Sequence, residues 1–429
     1  MAQQKRNWVA IITMFFIFGM ISFVTNMAAP FGNIWGYTYE WAGMAGNLMN
    51  FTAYLFMGIP AGNMLIKFGY KKTALIALGV GVVGLGVQLL SSVVGADVEV
   101  VEIGGQMCAL NLFIYLLGAL ICGFCVCMLN TVVNPMLNLL GGGGNTGNQL
   151  VQAGGSINSL TGTLTPMLVG VLIGTLTKET TMAEVAPLVI TGMCIFAAAL
   201  VIISFIKIEE PQGDLSNVTY EHSPLAFRHC LLGIIAIFFY VGIEIGVPGE
   251  MNMWISRLTD TEGNPVEGAA AVAGTMAAIY WLLMLCGRLI STAISAKVST
   301  RIQMITVSTV AIILLLCAIC TGNITVPIKG VEVPLSCVFI FVCGICTSIM
   351  WGGIFNLSTE GLGKYTAKAS GLFMMMVVGG GIMPFIQDNL VRPATGYLGS
   401  YWLVIAMLVY ILYYSVAGCK NVNKDIKVD

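Results

Sequence analysis

Charged side chains are scarce in this chain: Asp, Glu, Lys and Arg make up 9% of its 429 residues, against roughly 25% in a soluble globular domain. Mean hydropathy is +0.90, which excludes a soluble protein. With a net charge of −1 and no basic cluster, nothing in the sequence offers a surface to nucleic acid. Histidine occurs twice, as His222 and His229, both in or beside one polar stretch, so no metal centre and no histidine-based catalytic set is expected. Strand-like alternation is missing, which excludes an outer-membrane barrel. No polar block is long enough for a soluble domain, and an enzyme is not expected.

Long apolar runs are what the chain has instead. A helix needs about 20 residues to cross the hydrocarbon core. Twelve runs of that size recur, near 8–33, 42–66, 73–93, 107–138, 149–174, 187–207, 228–256, 268–295, 301–321, 334–359, 366–390 and 397–417. Lys5 and Arg6 precede the first, which is too long for the core of a signal peptide and is read as a membrane helix. With the N-terminus inside, Lys67, Lys71, Lys72, Lys207, Arg228, Lys297, Arg301, Lys364, Lys368, Lys420, Lys424 and Lys427 all fall on the cytoplasmic side. Lys178, Arg257, Lys329 and Arg392 fall outside, the asymmetry of a multi-pass protein whose termini are both cytoplasmic. A plasma membrane, the bacterial inner membrane, is the expected setting. The thirteen cysteines lie mostly within the runs beside small residues, so their CxxC spacing reads as close helix packing rather than zinc or redox chemistry, and no disulfide is expected.

The runs repeat. CGFCVCMLNTVVNP from Cys122 to Pro135 returns as CGICTSIMWGGIFN from Cys343 to Asn356, 221 residues later, and FFIFG at Phe15–Gly19 returns as FFYVG at Phe238–Gly242. Two copies of one six-helix unit follow: residues 1–207 and 228–420, joined by a polar linker at 208–227 and ending in a short tail at 421–429.

Polar residues inside the runs are few enough to take singly. Ser22 and Asn26 are four apart and share a helix face, and Pro30 leaves the Asn26 carbonyl without its helical donor. Asn130, Asn134 and Asn138 form a row at the same spacing, with Pro135 freeing the Thr131 carbonyl. Such a face reads either as a cavity-lining row or as an interhelical amide ladder. Gln149, Gln152, Ser156 and Thr163 mark one face of the fifth run, with Asn158 and Thr165 elsewhere on it. Trp351, which the repeat aligns with Asn130, offers an aromatic face to a sugar ring, and Asn356 follows in the same run. Amides suit hydroxyls because each supplies a donor and an acceptor. Glu244 is the most informative charge, since a carboxylate within a membrane bundle costs about 3 kcal/mol or more unless it is paired, protonated or functional. It could carry a proton, hold sodium or bind a sugar hydroxyl; a structural pair with Arg288 is the alternative. Glu250 lies nearer the outer surface and is less telling. GGGGNTGN at Gly141–Asn148 lacks the GK[ST] of a phosphate loop and reads as a flexible connection, and GGGIMP at Gly379–Pro384 as a pliable segment where a gate could bend.

PAGNMLIKFGYKK, with Gly62, Lys67, Gly69, Lys71 and Lys72, resembles the loop between the second and third helices of the major facilitator superfamily, although Ile66 stands where that loop usually has an acid. TVVNP at Thr131–Pro135, INSLTG at Ile157–Gly162, FFYVG with Glu244, Gly287–Arg288, and the run from GLGK to GGGIMP extend the likeness over nearly the whole chain. More narrowly, it resembles the fucose–galactose–glucose:proton symporter family. The resemblance implies an all-α polytopic membrane protein with twelve transmembrane helices in two pseudo-symmetric six-helix bundles, importing a monosaccharide or amino sugar by alternating access. Asn26, Asn130, Asn134, Gln152, Asn158, Trp351 and Asn356 are then the expected substrate ligands, Glu244 the coupling residue, and Lys67, Lys71 and Arg288 the gating residues. No cofactor is implied beyond a coupling H+ or Na+, and the expected partners are the sugar and the lipid bilayer around a monomer. The family's acids in the first and fourth helices fall on Asn26 and Asn130, which cannot release protons. That leaves Glu244 as the membrane acid for coupling, with an uncoupled sugar facilitator or an exporter of another small metabolite as alternatives.

Overall fold

The structure is a computed structural model of the chain and describes residues 7–39, 42, 45–103, 105–172, 181–208, 220–260, 262–264, 266–321, 324–423 and 425–428. The predicted linker falls partly outside the described residues, at 209–219. Helices α1 (Trp8–Thr38) and α2 (Ala45–Leu90) are followed by a hairpin of β1 (Glu99–Ile103) and β2 (Gln106–Ala109). Next come α3 (Leu110–Leu140), α4 (Gly144–Leu172), α5 (Ala186–Phe205), α6 (Arg228–Ser256), α7 (Ala269–Ile294) and α8 (Thr300–Cys320). A second hairpin, β3 (Thr325–Ile328) with β4 (Val331–Pro334), precedes α9 (Leu335–Thr347), α10 (Met350–Thr359), α11 (Thr366–Met375), α12 (Gly379–Ile386) and α13 (Arg392–Tyr413).

Each of the twelve predicted runs is helical over most of its described length. The reason is that a chain in hydrocarbon must satisfy its backbone N–H and C=O groups within its own segment, which a helix does. Among the described residues, nine helical spans are long and apolar enough to cross a membrane, and two of them, Ala45–Leu90 and Gly363–Gly418, each hold two predicted runs. Within α2 the division falls at Gly69, whose φ of 79° and ψ of 176° belong to a region open in practice only to glycine. Thr73 secures the turn, its hydroxyl donating to the Gly69 carbonyl at 2.7 Å. Winding also changes in the eleventh run, where a 3₁₀ turn at Met376–Val378 separates α11 from α12 just before the glycine triplet, and a π turn at Gln387–Val391 follows.

The stretch between α2 and α3 forms a hairpin. Glu99 and Glu102 lie on β1, and Gln106–Ala109, whose last three residues belong to the fourth predicted run, is β2. The sequences of β1 (EVVEI) and β2 (QMCA) do not alternate, whereas in β4 the buried Val331 and Val333 flank the exposed Glu332. The second hairpin stands at the equivalent place before α9, so the internal repeat includes these hairpins.

By packing, the chain forms two units: Met1–Leu140, Leu160–Glu221 and Lys364–Met375 in one, and Gly141–Ser159, His222–Gly363 and Met376–Asp429 in the other. Small residues set the helix spacing in both. In the first unit a Cβ at Gly84 would meet Cys122 Sγ at 2.8 Å, and one at Gly81 would meet Cys125 Sγ at 2.8 Å. Those cysteines therefore fill close α2–α3 contacts, as the sequence suggests. In the second, Gly379 packs on the Phe238 backbone and Gly344 on the Tyr280 carbonyl, where a Cβ would come within 2.5 Å.

Candidate functional site

In the first unit the polar residues are held by one another. Asn26 is half-buried, and its Nδ2 donates to the Ser22 carbonyl at 2.8 Å and to Ser22 Oγ at 3.1 Å. Gly162 of α4 leaves room for this pair, since a Cβ there would lie 3.0 Å from both Asn26 Nδ2 and Ser22 Oγ. On α3, Asn130 Nδ2 donates to Tyr54 Oη of α2 at 2.9 Å, and Asn134 Nδ2 donates to the Asn130 carbonyl at 2.9 Å. Asn134 is fully buried and Asn138 nearly so. Asn130 and Asn134 thus form an amide ladder with Tyr54, Asn134 being enclosed by protein. Tyr54 was not singled out by the sequence; its signal is only that a buried tyrosine hydroxyl needs a partner.

In the second unit Arg288 of α7 is the centre. Its Nε donates to the Ser348 carbonyl at 3.0 Å, Nη1 donates to the Gly155 carbonyl and to Ser159 Oγ at 2.8 Å each, and Nη2 donates to Glu244 Oε1 at 3.4 Å. The sequence left Glu244 open between a free functional acid and a pair with Arg288, and the pair is what forms. Arg288 is buried, so its guanidinium turns inward instead of snorkelling to the interface. The planar fork of arginine suits several acceptors at once, which a lysine ammonium would not reproduce. Ser159 and the Gly155 carbonyl were not among the predicted site residues.

Around this centre the first half of α4 supplies the predicted amides. Gln152, also buried, donates from Nε2 to the Ile349 carbonyl at 2.9 Å, and Gly352 makes room for it: a Cβ there would lie 2.7 Å from Nε2. Trp351 is half-buried and meets Tyr240 edge-on, with ring centroids 6.3 Å apart. Tyr240 stands one turn before Glu244 on the same face of α6, which links the indole to the ion pair. Asn158 is half-buried on α4. Asn356 lies elsewhere, donating to the Gly144 carbonyl at 2.8 Å and lining a pocket of about 560 Å³ with Asn145, Thr300, Arg301, Glu360 and Lys420. The predicted gating lysines belong to the first unit. Lys71 Nζ donates to the Ser204 and Ile206 carbonyls at 2.9 and 2.7 Å, at the end of α5, while Lys67 is exposed over the Phe68 ring.

A sequence profile described as the Major Facilitator Superfamily matches residues 9–384. The chain belongs to the Major Facilitator Superfamily. This member of the superfamily is similar to a putative glucose/galactose transporter of Helicobacter pylori, 27% identical over 428 residues that cover 96% of each chain. It is similar also to a glucose/galactose transporter of Brucella abortus, 27% identical over 95% of this chain and 93% of that one. Both relatives carry the names of transporters, not enzymes. Among solved structures, the fucose:proton symporter FucP of E. coli shares the fold with a TM-score of 0.75 at 16% identity, covering 95% of this chain and 97% of that one. The major facilitator fold expected from the sequence is therefore the fold of this chain.

Proposed function

We propose that this superfamily member imports a monosaccharide or amino sugar across the bacterial inner membrane by alternating access, coupled to H+ or Na+. The observation that carries the reading is the end-to-end similarity to proteins named as glucose/galactose transporters. The buried amides Asn130, Asn134, Gln152 and Asn356, the half-buried Asn26, Asn158 and Trp351, and the Glu244–Arg288 pair supply the chemistry. Amides exchange donors and acceptors with hydroxyls, the indole offers a ring face, and the ion pair offers a carboxylate whose charge is already answered. Residues 1–207 and 228–420 form the two moving halves, 208–227 the linker and 421–429 the tail, with both termini cytoplasmic and the monomer as the working unit. Lys67, Lys71 and Arg288 take the gating role.

The pairing of Glu244 favours one second reading, a sugar facilitator without coupling, because a carboxylate neutralised by arginine need not exchange a proton or bind an ion. Uptake of labelled monosaccharides into proteoliposomes, with proton and sodium gradients imposed separately, separates the two. Accumulation driven by one gradient and lost in Glu244→Gln supports coupling at α6; equilibration without accumulation supports the facilitator. Absence of flux for every sugar removes the substrate class.

A further inference from the structure

Glu250 lies near the end of α6 remote from Arg228, the outer end in the proposed topology, and is buried with neither carboxylate oxygen accepting a hydrogen bond. Among the described residues Arg392 is the cation within ion-pair reach, its Nε 3.9 Å from Glu250 Oε1. That nitrogen is engaged elsewhere, donating to Asp388 Oδ1 at 2.7 Å, while the guanidinium lies 5.1 Å from the centre of the Tyr397 ring. Arg257 also faces the group, but its Nη1 donates to Tyr397 Oη at 3.3 Å. Tyr397 in turn stacks on Trp254, with centroids 6.0 Å apart and planes 5° from parallel. Tyr401, a further titratable neighbour among the described residues, is occupied in donating to the Val247 carbonyl at 3.0 Å.

A carboxylate in such a site lacks the donors that make a buried charge tolerable. A neutral carboxylic acid needs only an acceptor for its one O–H. Gln387 Oε1 is buried without a partner, and it packs against Gly246, where a Cβ would come within 2.7 Å. Gly246 is one turn before Glu250 on the same face. Gln387 and Asp388 also open the π turn, a winding concentrated at functional sites. Ionisation reverses the balance. Glu250 and Asp388 then carry two negative charges against the two positive charges of Arg392 and Arg257, and Arg392 lies within reach of both acids.

We propose that Glu250 is a proton-binding site and that Arg392 is its switch. With the proton on Glu250, Asp388 holds Arg392 as observed. When the carboxyl loses that proton to the outer solution, the guanidinium moves toward Glu250 and off the face of Tyr397, loosening the stack on Trp254. One O–H bond forms or breaks, and no other group changes protonation. The inference does not depend on which solute is carried, and it places proton exchange on a residue other than the paired Glu244.

Infrared difference spectra of the full-length protein in lipid vesicles, recorded across a pH titration without sugar, test it. The C=O stretch of a protonated carboxylic acid should bleach as pH rises, vanish in Glu250→Gln and persist in Glu244→Gln. The tryptophan fluorescence change over the same range should disappear in Trp254→Phe. Should Glu250→Gln fail to fold, Asp388→Asn serves instead: Arg392, released from Asp388, would favour the Glu250 carboxylate and move the bleaching down by one pH unit or more, a tenfold change in proton affinity. A band that survives Glu250→Gln, a wild type with no titrating band while folded, or an unmoved titration in Asp388→Asn overturns the proposal.

Discussion

Arg288 Nη2 lies 3.4 Å from Glu244 Oε1, and the two side chains keep only 10% and 14% of their exposure. Removing one partner of a buried pair strands the other charge, at a cost of about 3–5 kcal/mol. Arg288 additionally satisfies the Ser348 and Gly155 carbonyls and Ser159 Oγ. Arg288→Met is therefore expected to lower the thermal unfolding midpoint in detergent more than Glu244→Gln, which keeps an amide oxygen for the guanidinium. In Glu244→Gln/Arg288→Met the losses should fall short of additive by about 1 kcal/mol or more, as for residues in direct contact. Strict additivity would mean the pair is not coupled.

The amide ladder makes a different kind of prediction. Asn130→Ala removes both a proposed sugar ligand and the partner of Tyr54, whereas Tyr54→Phe removes only the hydroxyl that positions the amide. Asn130→Ala should abolish uptake with folded protein still present in the membrane. Tyr54→Phe should raise KM about tenfold, roughly the 1.4 kcal/mol of one ordinary hydrogen bond, with kcat little changed. Wild-type uptake in Asn130→Ala would remove Asn130 from the binding site.

These residues show what the sequence could and could not supply. The membrane class and the places of the apolar helices were legible because a span must be apolar and about 20 residues long, and such runs survive without any knowledge of neighbours. The i, i+4 spacings of Ser22 with Asn26 and of Asn130 with Asn134 were legible for the same local reason. What stood across from each of them was not. Tyr54 lies 76 residues from Asn130, and Ser159 lies 129 from Arg288, separations that only folding closes. Glu250 was read as the less telling acid because position alone does not reveal that Arg392 is committed to Asp388. The first hairpin is not legible because EVVEI and QMCA do not alternate, and the second because its one alternating strand, Val331–Pro334, is only four residues long and runs directly into α9.

Close glycine packing yields a test of stability alone. A Cβ at Gly371 of α11 would stand 2.5 Å from the Gly58 carbonyl and 2.8 Å from Gly62 Cα, with backbone on both sides and nothing able to yield. Gly371→Ala should destabilise the protein by about 1–3 kcal/mol, the usual range for overpacking. Gly274 of α7 is the control, being exposed with nothing within 4 Å of a built Cβ. Gly274→Ala should be neutral or raise the unfolding midpoint slightly, since alanine is the better helix former by about 0.5–1 kcal/mol. Equal losses at the two positions would show that the Gly371 crossing has room for a methyl group.

Gly69 and Lys71 act in sequence in the loop that carries the superfamily pattern. Gly69, at φ 79° and ψ 176°, turns the chain in a way that an L side chain resists by about 1–3 kcal/mol. The turn places Lys71 two residues later with its ammonium on the Ser204 and Ile206 carbonyls, where a cation answers the free carbonyls and negative dipole end of α5 by about 0.3–1 kcal/mol. Lys71→Met should thus lower stability modestly, and Gly69→Ala more. If the glycine is what delivers the lysine, Lys71→Met should cost almost nothing further in a Gly69→Ala background, as read from unfolding midpoints of the four proteins side by side. A full additional loss there would show that Lys71 reaches the end of α5 whatever the geometry of the turn, and that the glycine and the lysine of the pattern serve separate ends.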